Sequence, residues 1–187
     1  MIKKKIELLR SKFKEHKIDG YIIPKNDEFF SAYSENDRLK TISNFSGSAG
    51  YAIVLKNKNY LFVDGRYTLQ ANIESGKNFK ISDFEKIFNC TLFKNLNLGL
   101  DPKLFTSYQI KNFFLKYNKI KFINKNLIDE IHGNYKTVDK PFYSLNEKIV
   151  GESSNTKILK IKNILNKVKS NYLFISAPEN IAWLLNI

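Results

Sequence analysis

The chain has 187 residues, of which 43% are hydrophobic, enough to bury the core of one full domain and part of another. Its 31 basic and 18 acidic residues give a formal net charge of +13, but the positive charge is mostly lysine spread along the chain, with arginine only at positions 10, 38 and 66. Nucleic-acid grooves favour clustered patches and arginine forks. The composition therefore argues against a nucleic-acid partner.

The cysteine and histidine content and the hydropathy of the sequence exclude further classes of protein and of site. The single cysteine, Cys90, excludes an internal disulfide and a thiolate metal cluster, and it fits a reducing compartment. It is also a poor nucleophile, because its apolar surroundings contain no histidine nearby in sequence. The histidines, His16 and His132, show no metal-ligand spacing. No stretch approaches the roughly 18 apolar residues of a membrane span, so we expect a cytoplasmic protein without a membrane partner.

The N-terminal part of the sequence alternates helix and strand patterns. Apolar residues at helical spacing predict a helix over 2–17. A short apolar run predicts a strand over 21–23, stopped by Pro24. Residues 25–37 show no period and predict a loop or a short helix, and residues 39–43 predict a short helix that enters a glycine-rich loop.

A hairpin is predicted at the centre of the fold. The apolar runs 51–55 and 60–63 flank a four-residue polar tip, which predicts two paired strands, and neither run alternates cleanly, which predicts burial on both faces. Gly47 and Gly50 precede the first strand. A phosphate-binding loop would lead into a helix, so these glycines favour a structural turn. A helix over 67–75 follows the hairpin.

The next residues continue the alternation and predict an α/β domain built on a mixed sheet. The predicted elements are a strand at Ile81, a helix opened by the capping-box pattern 82–85, a strand over 96–100, a helix after Thr106 or Ser107, a strand over 120–122 and a helix over 127–131.

The C-terminal part reads as the start of a second, similar domain. Residues 134–155 contain Pro141 and Gly151 and predict a linker. A helix over 156–168, a strand over 172–175 and a helix over 181–185 then repeat the order seen at the N-terminus. Because such a domain would leave strands unpaired, we expect the chain to be cut short. The predicted division is a domain over 1–133, a linker over 134–155 and a truncated second domain over 156–187.

Two arginines are candidate functional residues. Where lysine supplies most of the positive charge, a retained arginine suggests a planar fork to a carboxylate or a carbonyl. Arg38 follows Asp37, and Arg66 follows Asp64 by two positions. Both a structural ion pair and a substrate contact are open for these residues, and the ion pair is favoured. We expect Arg66 to pair with an acid near the hairpin, so that its removal lowers stability.

Seven ordered segments carry a family resemblance that spans nearly the whole chain. They are DGYIIP (19–24), DRL (37–39), FSGSAG (45–50), DGRYTLQA (64–71), LGLDP (98–102), NLID (126–129) and ENIAWLLNI (179–187). Together they resemble the N-terminal region of the Xaa-Pro aminopeptidases of the creatinase/prolidase family. One departure is Asn44, where the family has glycine; asparagine tolerates positive φ better than most residues.

The resemblance implies a creatinase N-terminal-type mixed sheet flanked by helices and a function outside the catalytic step. In the family, a C-terminal domain holds two divalent metal ions, usually Mn²⁺, which activate a water for attack on the bond before a proline. None of that domain is in this sequence, so the resemblance implies no catalytic residue, metal ligand or cofactor here. The N-terminal domains of the family shape substrate access and oligomer assembly. Candidate residues here for a substrate-access or structural role are Arg66, Arg38, Asp64 and Asp37.

Other classes stay open at the level of sequence. The chain could be a stand-alone α/β protein-interaction module, or a subunit that pairs with a separate catalytic chain or with itself. Proline-containing oligopeptides would be its partners only where a catalytic domain is present. A basic nucleic-acid binder would show affinity that falls steeply with salt. The sequence does not choose between a fragment, a truncated gene product and a split subunit.

Overall fold

A computed structural model describes residues 1–31, 36–89, 92–133 and 141–187. The chain forms two compact units, Met1–Tyr135 and Lys136–Ile187. Unit 1 contains the described strands, β1 Gly20–Pro24, β2 Gly50–Leu55, β3 Asn59–Val63, β4 Lys80–Asp83, β5 Asn97–Leu100 and β6 Lys119–Phe122. Its helices are α1 Ile2–Lys12, α2 Arg38–Ser43, α3 Thr68–Ser75, α4 Lys86–Asn89, α5 Ser107–Gln109 and α6 Leu127–His132. Unit 2 contains α7 Glu147–Val150, α8 Ser154–Lys167 and α9 Pro178–Leu185.

The six strands form one mixed sheet in the order β4-β3-β2-β1-β5-β6. β2 is antiparallel to its neighbours β1 and β3, whereas the pairs β3–β4, β1–β5 and β5–β6 are parallel. Five strands therefore run in one direction and β2 runs against them. The predicted mixed sheet flanked by helices is confirmed.

The predicted hairpin is confirmed and lies inside the sheet. Tyr51 pairs with Phe62 and Ile53 pairs with Tyr60 in the β2–β3 ladder. All residues of β2 except its last are buried, and the last four of β3 are buried as well. Side chains of successive residues point to opposite faces, so both faces of the hairpin are covered, as the unbroken apolar runs predict.

Two hydrophobic clusters lie on the two faces of the sheet. One face packs Ala52, Val54, Leu61 and Val63 against α1, α2 and α6. The other face packs alternate residues of the same strands against α4 and the helical segment 104–115, with Phe62 and Phe93 rings 6.0 Å apart edge to face. This segment includes the single turn α5 and a π-helix, Ile110–Leu115. Thr106, one of the two predicted caps, caps α5 and forms a capping box with Gln109.

Two elements of unit 1 differ from the sequence-based expectation. α1 ends at Lys12 rather than at residue 17, because Lys17 takes a left-handed φ of 49° and the N–H of Ile18 bonds back to the Phe13 carbonyl at 3.0 Å. The capping-box pattern at 82–85 does not open a helix. Ser82 and the next residue belong to β4, which pairs with β3 in parallel, so tertiary pairing overrides the local helix signal.

The second unit contradicts one prediction. The expected strand over 172–175 is not formed, and no strand partner for it exists in the part of unit 2 that the structure describes. Two predictions lie partly or wholly outside the described residues, namely the environment of Cys90 and the first part of the linker, residues 134–140. Within the described residues, no helix is long and apolar enough to cross a membrane.

The glycine-rich loop before β2 is shaped by backbone geometry. Asn44 ends α2 with a φ of 69°, the left-handed conformation that its place in the sequence predicts. A Cβ on Gly47 would lie 2.2 Å from the Phe45 ring, and one on Gly50 would lie 3.0 Å from the Phe62 carbonyl oxygen. These close approaches explain both glycines without a ligand.

The two outer strands of the sheet carry exposed lysines. β6 places Lys119 and Lys121 in solvent, and β4 begins with the exposed Lys80. The hairpin strands, in contrast, contain no charged residue. Charge is therefore concentrated on the edges of the sheet and excluded from its centre.

Gly20 opens β1, which pairs antiparallel with β2 and parallel with β5, and we expect Gly20→Ala to destabilise the protein. An added Cβ would lie 2.9 Å from the Val54 carbonyl oxygen and 2.5 Å from a Leu55 methyl group. Overpacking of this kind costs about 1–3 kcal/mol. Gly65→Ala is the matched control, because a Cβ there has nothing within 4 Å. Chemical denaturation of both variants checks this, and equal midpoints would contradict it.

Candidate functional site

Polar segments gather at the strand ends along one side of the sheet in unit 1. All strands except β2 run in the same direction, so their carboxyl ends lie on this side. Ligands bind at the carboxyl ends of the strands in open α/β sheets. We call the segments that follow these strands, together with the start of α2 and of α6, the polar edge. Its segments are 25–28, 37–38, 64–67, 84, 101–104 and 124–129.

Arg38 is the buried cation of the polar edge. It is the first residue of α2 and is 5% exposed. Its Nε donates to Oδ1 of Asp129 at 2.8 Å, and its Nη2 donates to Oδ2 of the same carboxylate at 2.9 Å and to Oε1 of Glu28 at 2.8 Å. This bidentate fork joins α2, α6 and the loop after β1.

These contacts shift the pKa values of Arg38 and Glu28 so that both side chains stay charged. Burial lowers the pKa of Arg38, but hydrogen bonds and charges of Asp129 and Glu28 outweigh it, so the net pKa is raised. Burial raises the pKa of Glu28, but the hydrogen bond from Arg38 and nearby charges leave it below its ordinary value. The Nη1 atom is buried without a hydrogen-bond partner in the described structure. The buried guanidinium therefore depends on its two carboxylates.

Asp37 forms its ion pair with Lys25, not with Arg38, which follows it in the sequence. Its carboxylate caps α2 by accepting from the Lys40 N–H at 2.9 Å, and it also accepts from the ammonium group of Lys25. The Lys25 N–H donates to the Gly50 carbonyl at 3.1 Å. This pair therefore links the end of β1 to the starts of α2 and β2.

α6 is positioned by a second set of buried polar groups. Asn126 caps this helix through the Ile128 N–H at 2.9 Å and donates to the Asp101 carboxylate at 3.0 Å. The N–H of Leu127 donates to the Tyr21 hydroxyl at 3.4 Å, and burial raises the pKa of that phenol. These bonds place Asp129 one turn into α6. A polar cleft of about 670 Å³ lies beside it, lined among others by Lys12, Glu28, Asp101, Lys103, Asn126 and Asp129.

Arg66 and Asp64 form an exposed pair. Oδ1 of Asp64 accepts from the Arg66 N–H at 3.0 Å and from its Nε at 2.9 Å, and the guanidinium lies 5.7 Å from the centre of the Tyr67 ring. These hydrogen bonds lower the pKa of Asp64 and raise the pKa of Arg66. The side chain of Arg66 is 78% exposed. Because exposed pairs contribute little, the structure argues against the loss of stability that the sequence led us to expect for Arg66.

The structure thus separates the four candidate residues. Arg66 is paired with Asp64, whereas the carboxylates on Arg38 are those of Asp129 and Glu28. Sequence reasoning assigned no role to these last two residues. The scarcity of arginine signalled that Arg38 needs a carboxylate, but nothing local identified which one.

The described residues do not fit a metal centre of the kind that the sequence resemblance implies for a catalytic domain. Among them, no three His, Cys, Asp or Glu side chains come together as a metal site requires. The polar edge offers anchored charges and an exposed arginine, which suit binding and positioning.

Known protein families match both units. The family described as "Creatinase/Prolidase N-terminal domain" matches residues 5–128, and a second family of the same description matches residues 135–187.

Curated relatives match the whole chain. Xaa-Pro aminopeptidase 1 of Dictyostelium discoideum is 33% identical over 100% of this chain and 33% of its own length. A probable Xaa-Pro aminopeptidase P of Coprinopsis cinerea is 29% identical over 98% of this chain and 32% of its own length. The chain therefore spans about a third of the length of these relatives.

Solved structures share the fold. The X-prolyl aminopeptidase of Caenorhabditis elegans, described as a cytosolic enzyme with a di-nuclear active site, superposes with a TM-score of 0.77 at 24% identity over 100% of this chain and 34% of its own. The N-terminal domain of the peptidase PepQ of Mycobacterium tuberculosis has a TM-score of 0.53 at 15% identity, covering 68% of this chain and 98% of that one.

Replacing the buried arginine should cost far more stability than replacing the exposed one. Arg38→Met removes the fork and leaves Asp129 and Glu28 without their cation, which we expect to cost about 2 kcal/mol or more. Arg66→Met makes the same change of side chain at an exposed position and should leave the unfolding free energy nearly unchanged. Urea denaturation of the two variants measures the difference. Equal losses would show that the fork does not stabilise the polar edge.

Glu28 should make stability depend on pH in acid. Its pKa in the folded protein lies below the ordinary value of 4.5, so its stabilising contribution is present above that pH and is lost as the pH falls through the lowered pKa. The unfolding free energies of the native protein and of Glu28→Gln should therefore differ at neutral pH and converge in acid. Glu7→Gln, at an exposed position of α1, is the charge-matched control and should run parallel to the native protein. A constant gap for Glu28→Gln would contradict the assignment.

Proposed function

Because the chain belongs to the creatinase/prolidase N-terminal domain family, we propose that it is the non-catalytic N-terminal part of an Xaa-Pro aminopeptidase. In this proposal it shapes the access of peptide substrates and takes part in oligomer assembly. The observation that carries the proposal is the full coverage of this chain by relatives of which it spans only a third.

The polar edge is the face that we assign to substrate access. Its ion pairs suit different tasks. The buried fork of Arg38 holds three segments in place, and Asp37 ties β1 to α2. Arg66 and Asp64 are exposed at the end of β3, where Arg66 can donate further hydrogen bonds to a carbonyl or a carboxylate of a peptide and Asp64 can accept one from a peptide N–H. We therefore assign Arg38 and Asp37 to positioning, and Arg66 and Asp64 to contact.

The catalytic chemistry would reside in another domain. In the proposal, two divalent metal ions, Mn²⁺ by the sequence resemblance, are held by a catalytic domain that supplies the hydrolytic step, and this chain supplies no metal ligand. Proline-containing oligopeptides are then the substrates of the assembled enzyme. The single cysteine supports a cytoplasmic location.

One observation favours a second candidate, a protein-interaction module that pairs with another chain. Unit 2 exposes many large apolar side chains, among them Ile149 at 74%, Trp183 at 62% and Phe174 at 90%. Apolar surface of this extent typically marks an interface with another protein. The two candidates share the absence of catalysis by this chain and differ in whether its partner is the same polypeptide or a separate one.

The purified chain should release no N-terminal residue from an Xaa-Pro peptide, with or without added Mn²⁺. The reason is that the proposal puts the metal ions in a separate catalytic domain, and among the described residues no three His, Cys, Asp or Glu side chains form a metal site. The full-length Dictyostelium relative, assayed in parallel, provides the positive control. Metal-dependent release by the pure chain, measured as free amino acid, would overturn the proposal.

A further inference from the structure

An aromatic pocket lies in unit 1 between the polar edge and the end of the glycine-rich loop. Three aromatic side chains line it, namely Phe30 after β1, Tyr51 in β2 and Phe84 after β4, together with loop residues 48–50. Its volume is about 280 Å³. Ligand pockets begin at roughly 300 Å³, so this pocket suits one side chain of a bound peptide rather than a whole cofactor.

The lining of the aromatic pocket is close to neutral. Among its described lining residues, Lys25 alone is charged, and its ammonium group is paired with Asp37. The hydroxyl group of Tyr51 accepts a hydrogen bond from Nε2 of Gln109 at 3.1 Å. An uncharged, apolar group therefore fits this pocket better than an ion does.

The end of the glycine-rich loop supplies hydrogen-bond donors to the pocket. Within the part of the chain that the structure describes, the backbone N–H groups of Ser48 and Ala49 donate to no protein acceptor, and both residues are exposed. Proline combines an apolar ring with a carbonyl acceptor and has no N–H of its own. Proline-rich peptides accordingly dock in aromatic-lined grooves. Donors beside aromatic rings therefore favour a proline as the occupant.

Helix α3 and the residue before it hold these donors in place. The carboxylate of Glu74 accepts from the Ser46 N–H at 2.7 Å and from the Ser46 hydroxyl at 2.8 Å, and Gln70 donates to that hydroxyl at 2.9 Å. The hydroxyl groups of Ser48 and Tyr67 share a hydrogen bond of 2.7 Å. The loop is therefore fixed before a ligand binds, which lowers the entropy that binding costs.

Phe30 reaches the pocket through an uncommon backbone conformation. Its φ of 59° lies in the left-handed region, which bulky residues rarely adopt. Oδ1 of Asp27 fixes this turn by accepting from the N–H groups of Phe29 and Ser31, both at 2.9 Å. Residues held in such conformations cluster at sites that bind ligands. The ring of Phe30 is about half exposed, so it remains accessible to a ligand.

We propose that the aromatic pocket is a subsite for a proline of the peptide substrate. The proline ring packs among the rings of Phe30, Tyr51 and Phe84, and a carbonyl of the peptide accepts from the N–H of Ser48 or Ala49. It is a proline beyond the bond that is cleaved, because the cleaved bond meets the metal ions of the catalytic domain. The inference rests on the proposed function and names the feature of the substrate that this face recognises.

Binding of a blocked peptide to the purified chain tests the proposal. The probe is tetraproline with an acetyl and an amide end, followed in the amide NMR spectrum of the isotope-labelled chain. The signals of Ser48 and Ala49 should shift, with a dissociation constant on the order of 1 mM for one small subsite. Blocked tetraglycine should shift neither signal, because it brings no ring. Unmoved signals up to about 10 mM tetraproline, or equal affinity for both peptides, would overturn the proposal.

Two neighbouring phenylalanines give a matched pair of variants. Phe30→Asn should weaken tetraproline binding about tenfold, because it removes a ring from the pocket. Asparagine adopts the left-handed conformation readily, so the turn is retained. Phe29→Asn makes the same change one residue earlier, at a side chain that is 70% exposed and does not line the pocket, and should leave binding unchanged. Equal losses in the two variants would overturn the subsite.

The binding experiment and the peptidase assay fail separately. Blocked tetraproline has no free N-terminal residue, so its binding is measured without turnover. Absence of binding would overturn the subsite and leave the non-catalytic role intact. Release of an amino acid by the pure chain would overturn the proposed function without changing the NMR result.

Discussion

Burial of the β2–β3 hairpin on both faces is the constraint on which the fold of unit 1 depends. Its strands contain no charge, and each face packs against its own layer of helices. Polar chemistry is therefore excluded from the centre of the sheet and gathers where the strands end. Since five of the six strands end on the same side, this exclusion produces the polar edge.

The two arginines of the polar edge show how burial changes the role of one side chain. Arg38 has two carboxylates and almost no contact with solvent, so its charge contributes by holding segments that are distant in sequence. Arg66 meets one carboxylate two residues away and faces water. The same residue type therefore acts as a structural clamp at one position and as an accessible donor at the other.

Sequence reasoning recovered what local patterns determine. The hairpin follows from two apolar runs around a polar tip, and the left-handed turn follows from Asn44. It did not predict features that depend on residues far apart in the sequence. Asp129 lies 91 residues from Arg38, and β4 forms because β3 offers it a ladder, against the helix signal at 82–85. Residues 171–177 have a strand sequence but no strand partner in the described part of unit 2, and a strand exists only as one side of a pair.

The lysines on β6 and β4 have a consequence for the behaviour of the whole chain. An unpaired strand edge recruits other chains unless charges on it make docking unfavourable. Lys80, Lys119 and Lys121 stand at both open sides of the sheet, so its backbone groups there are guarded against indiscriminate stacking. Part of the large positive charge of this sequence thus lies on the two outer strands of the sheet, where it opposes association with other chains.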